Sequence, residues 1–143
     1  MAAVPCELSK IMIAETSDYH VIWLREKTGA CRDFPILIGL FEAVAIDRKI
    51  REVETPRPLT HDLLASTIST LSGELEKVVV TELKNNTFYA SLMIRQNGSV
   101  VEVDSRPSDA IALAVRLETP IFVEDSVIDQ VTSWQDQGEE GLV

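Results

Sequence analysis

VDSRPSDAIALAVRL, residues 103–117, contains the junction on which the fold of this sequence depends. A β-type segment ends at an aspartate, and an alanine-rich segment with helical periodicity follows directly. Pro107 suits the first turn of a helix, and Asp109 would lie near the positive end of the helix dipole. The stretch therefore predicts a strand that passes into a helix ending near residue 117, with Ser105 or Arg106 at the N-cap.

Two segments before this junction also have the pattern of helices. Residues 40–50 place apolar side chains on one stripe and leave Glu42 off it. Thr60 is a good N-cap for a helix over 61–71, and Leu71 would belong to the inner stripe of that helix. We therefore expect two helices before the junction.

The strand predictions fall in groups between the helices. Apolar and β-branched runs predict strands over the ranges 8–14, 19–27, 34–38, 77–83, 88–95, 99–103 and 120–123. Asn97-Gly98 favours the positive φ angles of a type I′ hairpin turn. Ser126, with Asp129 three residues on, predicts a last helix over 127–134. Because hairpins and helices are interleaved without strict alternation, we expect an α+β domain with a mixed or mostly antiparallel sheet and about three to four helices.

Composition and charge limit the function classes. With 143 residues, of which 45% are hydrophobic, the chain is long enough for one domain with a real core. Its formal net charge of −10 repels phosphate backbones, so a nucleic-acid role would need a local basic patch or a bridging metal ion. The isolated cysteines, Cys6 and Cys31, and the histidines, His20 and His61, form no zinc or hydrolase motif. Zinc binding and classical hydrolase chemistry are therefore disfavoured.

The sequence also gives expectations for domains and compartment. We expect residues 1–134 to form one domain and residues 135–143 to form an acidic, disordered tail. The longest apolar stretches are far shorter than the roughly 20 residues of a membrane span, and the N-terminus lacks the pattern of a signal peptide. The prediction is a cytoplasmic protein with two free thiols and no membrane partner.

The strand-to-helix junction is the first candidate site. Asp104 at the end of the strand and Asp109 in the first helical turn could converge on one small volume, and Glu42 could join them. Oxygen-rich groups of this kind suit Mg²⁺ or Mn²⁺ better than zinc. The structural alternative is that these carboxylates only cap helices and complement helix dipoles.

A second group of candidates lies in PRPLTHDLL, residues 56–64. Arg57 could contact an anion, and His61 could act as a general base or contact a phosphate, although simple solvent exposure would also explain both. The basic run at 48–51 is diluted by acidic neighbours, so a solvated face is the simpler interpretation.

The adjacent aromatic residues Phe88 and Tyr89 are candidates for base stacking. Neighbouring residues of a strand face opposite sides of the sheet. One of the two is therefore expected in the core and the other at the surface.

Four segments together resemble the bifunctional nuclease family in order and spacing: IGLFEAVAI at 38–46, PRPLTHDLL at 56–64, TFYASL at 87–92 and VDSRPSDAIALAVRLETPIFV at 103–123. The resemblance covers nearly the whole chain apart from the acidic tail. It implies a compact α+β domain, common in bacteria, with the DNase and RNase activity for which the family is named. The matching positions with polar side chains are Glu42, Arg57, His61, Asp62, Asp104, Arg106, Ser108 and Asp109. Asn86 departs from the glycine expected before Thr-Phe-Tyr-Ala, but asparagine tolerates left-handed geometry almost as well.

The leading hypothesis is a metal-dependent nuclease that hydrolyses phosphodiester bonds of DNA or RNA. The predicted ligands of Mg²⁺ or Mn²⁺ are Glu42, Asp104 and Asp109. The predicted catalytic side chains are Arg57, His61, Arg106 and Ser108. The rival hypothesis is a non-enzymatic module that binds an anionic small molecule or a protein partner. A third is a structural subunit of a homo-oligomer whose polar junctions only cap helices.

Overall fold

The computed structural model describes residues 2–14, 16 and 18–136. These residues form seven strands and four helices around one hydrophobic core. In chain order the elements are β1 (Ala3–Ile13), β2 (His20–Glu26), β3 (Asp33–Ile38), α1 (Leu40–Ile50), α2 (Thr60–Thr70), β4 (Gly73–Lys84), β5 (Thr87–Gln96), β6 (Ser99–Ser105), α3 (Pro107–Leu117), β7 (Ile121–Glu124) and α4 (Asp125–Asp136). The predicted α+β class is confirmed, and α1 and α3 begin and end where the sequence predicts.

The strands join in one mixed sheet with the order β3-β2-β1-β7-β4-β5-β6. β7 pairs antiparallel with β1 and parallel with β4. The other neighbouring pairs are antiparallel. β7 therefore connects two antiparallel groups, β1–β3 and β4–β6, each of which is contiguous in sequence.

Left-handed turn residues close both hairpins of the second group. Asn97 and Gly98 have φ angles of 51° and 81°, which confirms the predicted type I′ turn. Asn85 and Asn86 have φ angles of 53° and 61°, the same left-handed pattern. Asn86 thus adopts the conformation that would favour glycine at this position.

α3 is the central helix of the fold. Most of its residues are buried, including Ile111 and Leu113. α1 and α2 pack against α3, which itself contacts β4 and β5. The start of α3, where the polar junction lies, is therefore held between two other helices and the sheet. No helix within the described ranges is both long and apolar enough to cross a bilayer.

α2 starts one residue earlier than the sequence predicts. Leu59 is the N-cap and Thr60 is the first helical residue, so the predicted Thr60 cap is wrong. The reason is that Asp62 Oδ2 accepts a hydrogen bond of 3.0 Å from the Leu59 N–H, which fixes the first turn around Asp62. Leu71 is also not part of the inner stripe, because it follows the helix and is 64% exposed.

α4 follows β7 directly, so the predicted cap at Ser126 is wrong as well. The helix begins at Asp125, whose N–H donates to Ala2 O at 3.0 Å. Val127, Ile128 and Val131 of α4 are fully buried members of the core. α4 reaches Asp136, and the remainder of the predicted tail, 137–143, lies outside the described residues.

Arg32 holds α4 to the β2–β3 connection through a group of carboxylates that we call the Arg32 cluster. Its guanidinium lies 2.8 Å from Glu26 Oε2, 3.1 Å from Asp125 Oδ1 and 2.8 Å from Asp129 Oδ1. Glu26 is buried, and the hydrogen bonds from Arg32 hold its pKa below the usual range. Arg32 therefore pairs the buried charge of Glu26 and, through Asp125 and Asp129, holds α4 in position.

Candidate functional site

Side chains from the starts of α1, α2 and α3 form a connected group that we call the polar cluster: Glu42, His61, Arg106 and Asp109. Arg106 is at its centre, because its Nη2 lies 2.8 Å from Glu42 Oε1 and 2.8 Å from Asp109 Oδ2. Asp109 Oδ1 lies 3.0 Å from His61 Nε2. Four residues that were predicted from the sequence as site candidates are thus linked by side-chain contacts.

Local structure places Arg106 and Asp109 together. Arg106 is the extended N-cap residue of α3, with φ −72° and ψ 146°, and Pro107 follows it in the first helical position. Asp109 is three residues on, where a side chain can reach back to the cap residue. The hydrogen bond that Arg106 donates to Asp109, with a smaller contribution from Glu42, raises the pKa of Arg106. Arg106 is therefore a fixed cation at the start of α3.

Glu42 is the buried member of the polar cluster, at 5% exposure. Ser108 Oγ donates to Glu42 Oε1 at 3.5 Å, in addition to the contact from Arg106. A Cβ atom on Gly39 would lie 3.1 Å from the same Glu42 oxygen, so glycine leaves the space that the carboxylate occupies. Since a buried carboxylate needs a charged partner, Glu42 anchors Arg106.

His61 and Asp109 form a dyad with a defined direction. A carboxylate can only accept a hydrogen bond, so the neutral imidazole must carry its proton on Nε2, facing Asp109. The second ring nitrogen, Nδ1, is then the atom that can accept a proton. Both side chains are partly shielded from water, with exposures of 13% for His61 and 29% for Asp109. The dyad has the arrangement of a general base with an orienting carboxylate.

A second polar bridge joins α2 to α3 beside the dyad. Asp62 Oδ1 lies 2.8 Å from Arg116 Nε. The Leu59 N–H and then Arg116 hold the pKa of Asp62 below its usual range. Arg116 was not among the site residues predicted from the sequence. Its spacing of seven residues from Asp109 places both residues on one face of α3.

Two hollows flank the polar cluster. The first, which we call the cationic cleft, has a volume of about 630 Å³ and contains His61 in its wall. The charged residues around it are Arg48, Lys49, Arg57 and Arg116, with Glu52, Glu54 and Asp62. The second, which we call the aromatic groove, has a volume of about 900 Å³. Its wall includes Arg106 and Ser108, together with Tyr19, Phe88 and Trp134.

The structure separates the remaining candidates. Arg57 is exposed in the wall of the cationic cleft, close to His61 in the lining but without a contact to the polar cluster among those described. Arg48 and Lys49 line the same cleft, so part of the basic run faces a hollow and not a plain solvated surface. Phe88 packs against the core and Tyr89 is exposed, as the strand pattern predicts.

Only two of the three carboxylates predicted to bind metal come together, and an arginine lies between them. Asp104 is exposed on β6, opposite Ser91 of β5, whereas Glu42 and Asp109 both bind Arg106. In the part of the chain that the structure describes, no three His, Cys, Asp or Glu side chains are grouped so that they could hold a metal ion. The guanidinium of Arg106 lies where an ion shared by Glu42 and Asp109 would have to bind. As placed, these residues do not fit the predicted Mg²⁺ or Mn²⁺ site.

Comparison with models of protein families identifies the family of this chain. The model of the bifunctional nuclease domain matches residues 22–135, which include every member of the polar cluster. The chain therefore belongs to the bifunctional nuclease domain family, and the resemblance seen in the sequence is confirmed.

Individual relatives come from bacteria and plants. The chain is similar to an uncharacterized protein of Mycobacterium tuberculosis, with 42% identity over 120 residues, covering 84% of this chain and 71% of the relative. It is also similar to Bifunctional nuclease 2 of Oryza sativa subsp. japonica, with 30% identity over 118 residues, covering 80% of this chain and 36% of the relative. Bifunctional nuclease 1 of Arabidopsis thaliana is 26% identical over 114 residues, covering 78% and 35%. The chain thus matches about a third of each plant protein.

Proposed function

We propose that this protein is a nuclease that hydrolyses phosphodiester bonds of DNA and RNA at the polar cluster. The observation that carries the proposal is the dyad of His61 and Asp109, which opens into a cleft bordered by four cationic side chains. Membership of the bifunctional nuclease domain family and the names of the plant relatives support the substrate class.

The cationic cleft supplies the local basic patch that a nucleic-acid role requires in a chain of negative net charge. A chain with a formal charge of −10 repels nucleic acid over most of its surface. The four cationic side chains of the cleft outnumber its three carboxylates by one, which leaves a local excess of positive charge. A phosphate would therefore be attracted to this side of the dyad.

The side chains of the cluster can perform the hydrolysis in named steps. His61 Nδ1 takes a proton from a water molecule, and Asp109 holds the ring through Nε2. The water oxygen attacks phosphorus, and the bond from phosphorus to the leaving oxygen breaks. Arg57, in the wall of the same cleft, neutralises the charge that develops on the phosphate oxygens, and Arg106 holds Asp109 in position. The imidazolium then returns its proton to the leaving oxygen.

The mechanism assigns no step to a metal ion, because Arg106 lies between the two carboxylates. Ser108 acts through Glu42, whose carboxylate it helps to hold. The proposed compartment is the cytoplasm, where the two free thiols of Cys6 and Cys31 stay reduced.

The test is cleavage of single- and double-stranded DNA and RNA by the wild-type protein, Asp109→Asn and Asp104→Asn, purified identically. Asp104→Asn is the matched control, because it removes one exposed carboxylate from the same segment without touching the polar cluster. We expect Asp109→Asn to lower kcat roughly 100-fold or more, since the dyad loses its orienting carboxylate. Asp104→Asn should cleave like the wild type.

A chelator and a return of Mg²⁺ or Mn²⁺ complete the test. We expect cleavage to persist in the chelator. Cleavage that depends on added metal would show that Glu42 and Asp109 release Arg106 to bind an ion, and the mechanism above would be wrong. Equal cleavage by all three proteins, or none, would contradict the nuclease proposal. Thermal stabilisation by inorganic phosphate without turnover would instead favour an anion-binding module.

A further inference from the structure

The aromatic groove contains side chains that the proposed hydrolysis does not use. Tyr19, Phe88 and Trp134 supply three aromatic rings to its wall. Its polar lining residues include Arg106, which belongs to the polar cluster, and Ser108, which contacts the cluster through Glu42. Asp18, Asn86 and Thr87 are the other polar residues of the lining. The groove therefore borders the polar cluster at Arg106, whereas the cationic cleft borders it at His61.

The groove leaves large apolar side chains in contact with water. Tyr19 is 58% exposed, and Leu37 in the same wall is 40% exposed. The volume of about 900 Å³ is within the range of hollows that enclose a small organic group. Concave aromatic surfaces of this kind accept flat rings, which stack on the aromatic faces.

The linings of the two hollows match the two parts of a nucleotide, the charged phosphate and the aromatic base. The wall of the cationic cleft contains arginine and lysine side chains, which suit phosphates, and the wall of the aromatic groove contains aromatic residues, which suit bases. Asp109 joins them, because one of its oxygens binds Arg106 of the groove and the other binds His61 of the cleft. One nucleotide chain could therefore occupy both sides of the dyad.

We propose that the aromatic groove binds an unpaired base of a single-stranded nucleic acid whose phosphates follow the cationic cleft. The inference rests on the proposed function of the polar cluster, and it adds the substrate class. In a duplex the base faces are stacked on their neighbours, so a base could enter the groove only after it had been flipped out. The protein therefore prefers single strands to duplexes.

Binding is tested first, with a readout that does not need turnover. The sequence has two tryptophans, so a Trp23→Phe background leaves Trp134 as the reporter in the groove. The probe is a single-stranded oligothymidylate with phosphorothioate linkages, compared with a duplex of equal length. We expect the single strand to quench Trp134 fluorescence, since a base stacks against the groove wall, and the duplex to leave it nearly unchanged.

Three substitutions in the same background locate the effect. Phe88→Leu removes a groove ring and keeps an apolar side chain, whereas Tyr89→Leu removes the neighbouring ring, which is exposed and absent from the groove lining. Tyr19→Ala is a second groove variant, at a residue that is 58% exposed. We expect each groove variant to weaken single-strand binding roughly fivefold or more, and the Tyr89 control to bind like its parent.

The outcomes separate this inference from the proposed function. Groove variants that bind single strands as well as the Tyr89 control would overturn the base-binding groove, even if cleavage is intact. Trp134 fluorescence that depends on protein concentration and ignores the oligonucleotide would overturn it too, because a second copy would then cover the groove. Quenching that the groove variants abolish, in a protein that cleaves nothing, would support the groove and contradict the nuclease.

Discussion

Two arginines of this molecule are held by carboxylates in nearly the same way, with different surroundings. Arg32 and Arg106 each bind a glutamate that is 5% exposed, Glu26 and Glu42, and each binds aspartate in the first part of a helix. The side chain of Arg32 is 31% exposed and that of Arg106 is 67% exposed. Arg32 contributes to neither of the two hollows, and Arg106 lines the aromatic groove.

The difference shows what distinguishes a candidate site from a structural ion pair. The arginine and its buried glutamate are common to both clusters, so these residues alone say nothing about function. The polar cluster adds His61 on the second oxygen of Asp109, and it adds access from two sides. A group that can exchange a proton, next to open space for a substrate, is the informative feature.

The largest expected effect is on activity at the polar cluster. Arg106→Lys keeps the positive charge but loses the planar guanidinium that contacts Glu42 and Asp109 together. We expect kcat on nucleic acid to fall roughly 100-fold, because Asp109, and with it the ring of His61, is no longer held in place. Arg32→Lys, the matched substitution, should leave the activity per folded molecule unchanged. Steady-state cleavage by both variants, corrected for the folded fraction, measures the contrast.

The next effect is on stability at the Arg32 cluster. Arg32→Lys cannot maintain contacts to Glu26, Asp125 and Asp129 with one ammonium group. We expect the free energy of unfolding to fall by about 1–3 kcal/mol, because the buried Glu26 loses hydrogen bonds. Urea unfolding followed by circular dichroism gives the value. If Arg106→Lys destabilised the protein equally and Arg32→Lys also abolished cleavage, the distinction between the clusters would be lost.

Acid should weaken the Arg32 cluster through Glu26. Hydrogen bonds from Arg32 hold the pKa of Glu26 below the ordinary value of a glutamate, about 4.5, so the folded state favours the ionised form. This contribution to stability is present above about pH 4.5 and is lost as the pH falls through the lower pKa of the folded state. Glu26→Gln should therefore show a flatter loss of stability below this pH than the wild type.

Cys6 offers a local measurement of the same change. Burial, with a smaller contribution from Glu26, raises the pKa of its thiol to about 12. The thiol should therefore resist alkylation until the region opens, whereas the exposed Cys31 should react at once. The labelling rate of Cys6 relative to that of Cys31 should rise at low pH, because the comparison cancels the loss of thiolate that acid causes at both residues. A constant ratio would contradict the role assigned to Glu26.

The smallest effect is expected at the rim of the Arg32 cluster. The side chain of Asp129 is 63% exposed, so water already screens its attraction to Arg32. We expect Asp129→Asn to change the free energy of unfolding by less than about 1 kcal/mol. Urea unfolding of Asp129→Asn beside Arg32→Lys measures the difference, and a loss as large as that of Arg32→Lys would show that the exposed contacts matter more than the buried one.

The sequence predicted best where the determinants are local. Pro107 and the alanine-rich run are enough to place α3, and Asn97-Gly98 is enough to place its turn. The helix N-caps were predicted less accurately. Asp62 fixes the start of α2 at Leu59, although Thr60 is the better cap by residue type.

Contacts between distant residues could not be read from the sequence. Arg32 and Asp129 are 97 positions apart, and no periodicity connects them. The sequence predicted part of the candidate site, because polar side chains near the predicted helix starts stand out as candidates. These residues are Glu42, His61, Arg106 and Asp109. Their pairing around an arginine, with Asp104 outside, depends on how α1 and α2 pack against α3.

The position of β7 has a consequence for how the chain folds during synthesis. Each antiparallel group of the sheet is contiguous in sequence, but the strand that joins them, Ile121–Glu124, is synthesised after both groups. Until it emerges from the ribosome, β1 and β4 present unpaired edges, which are a risk for aggregation. Pairing across more than a hundred residues also gives a high contact order, so we expect closure of the sheet to be the slow step of folding.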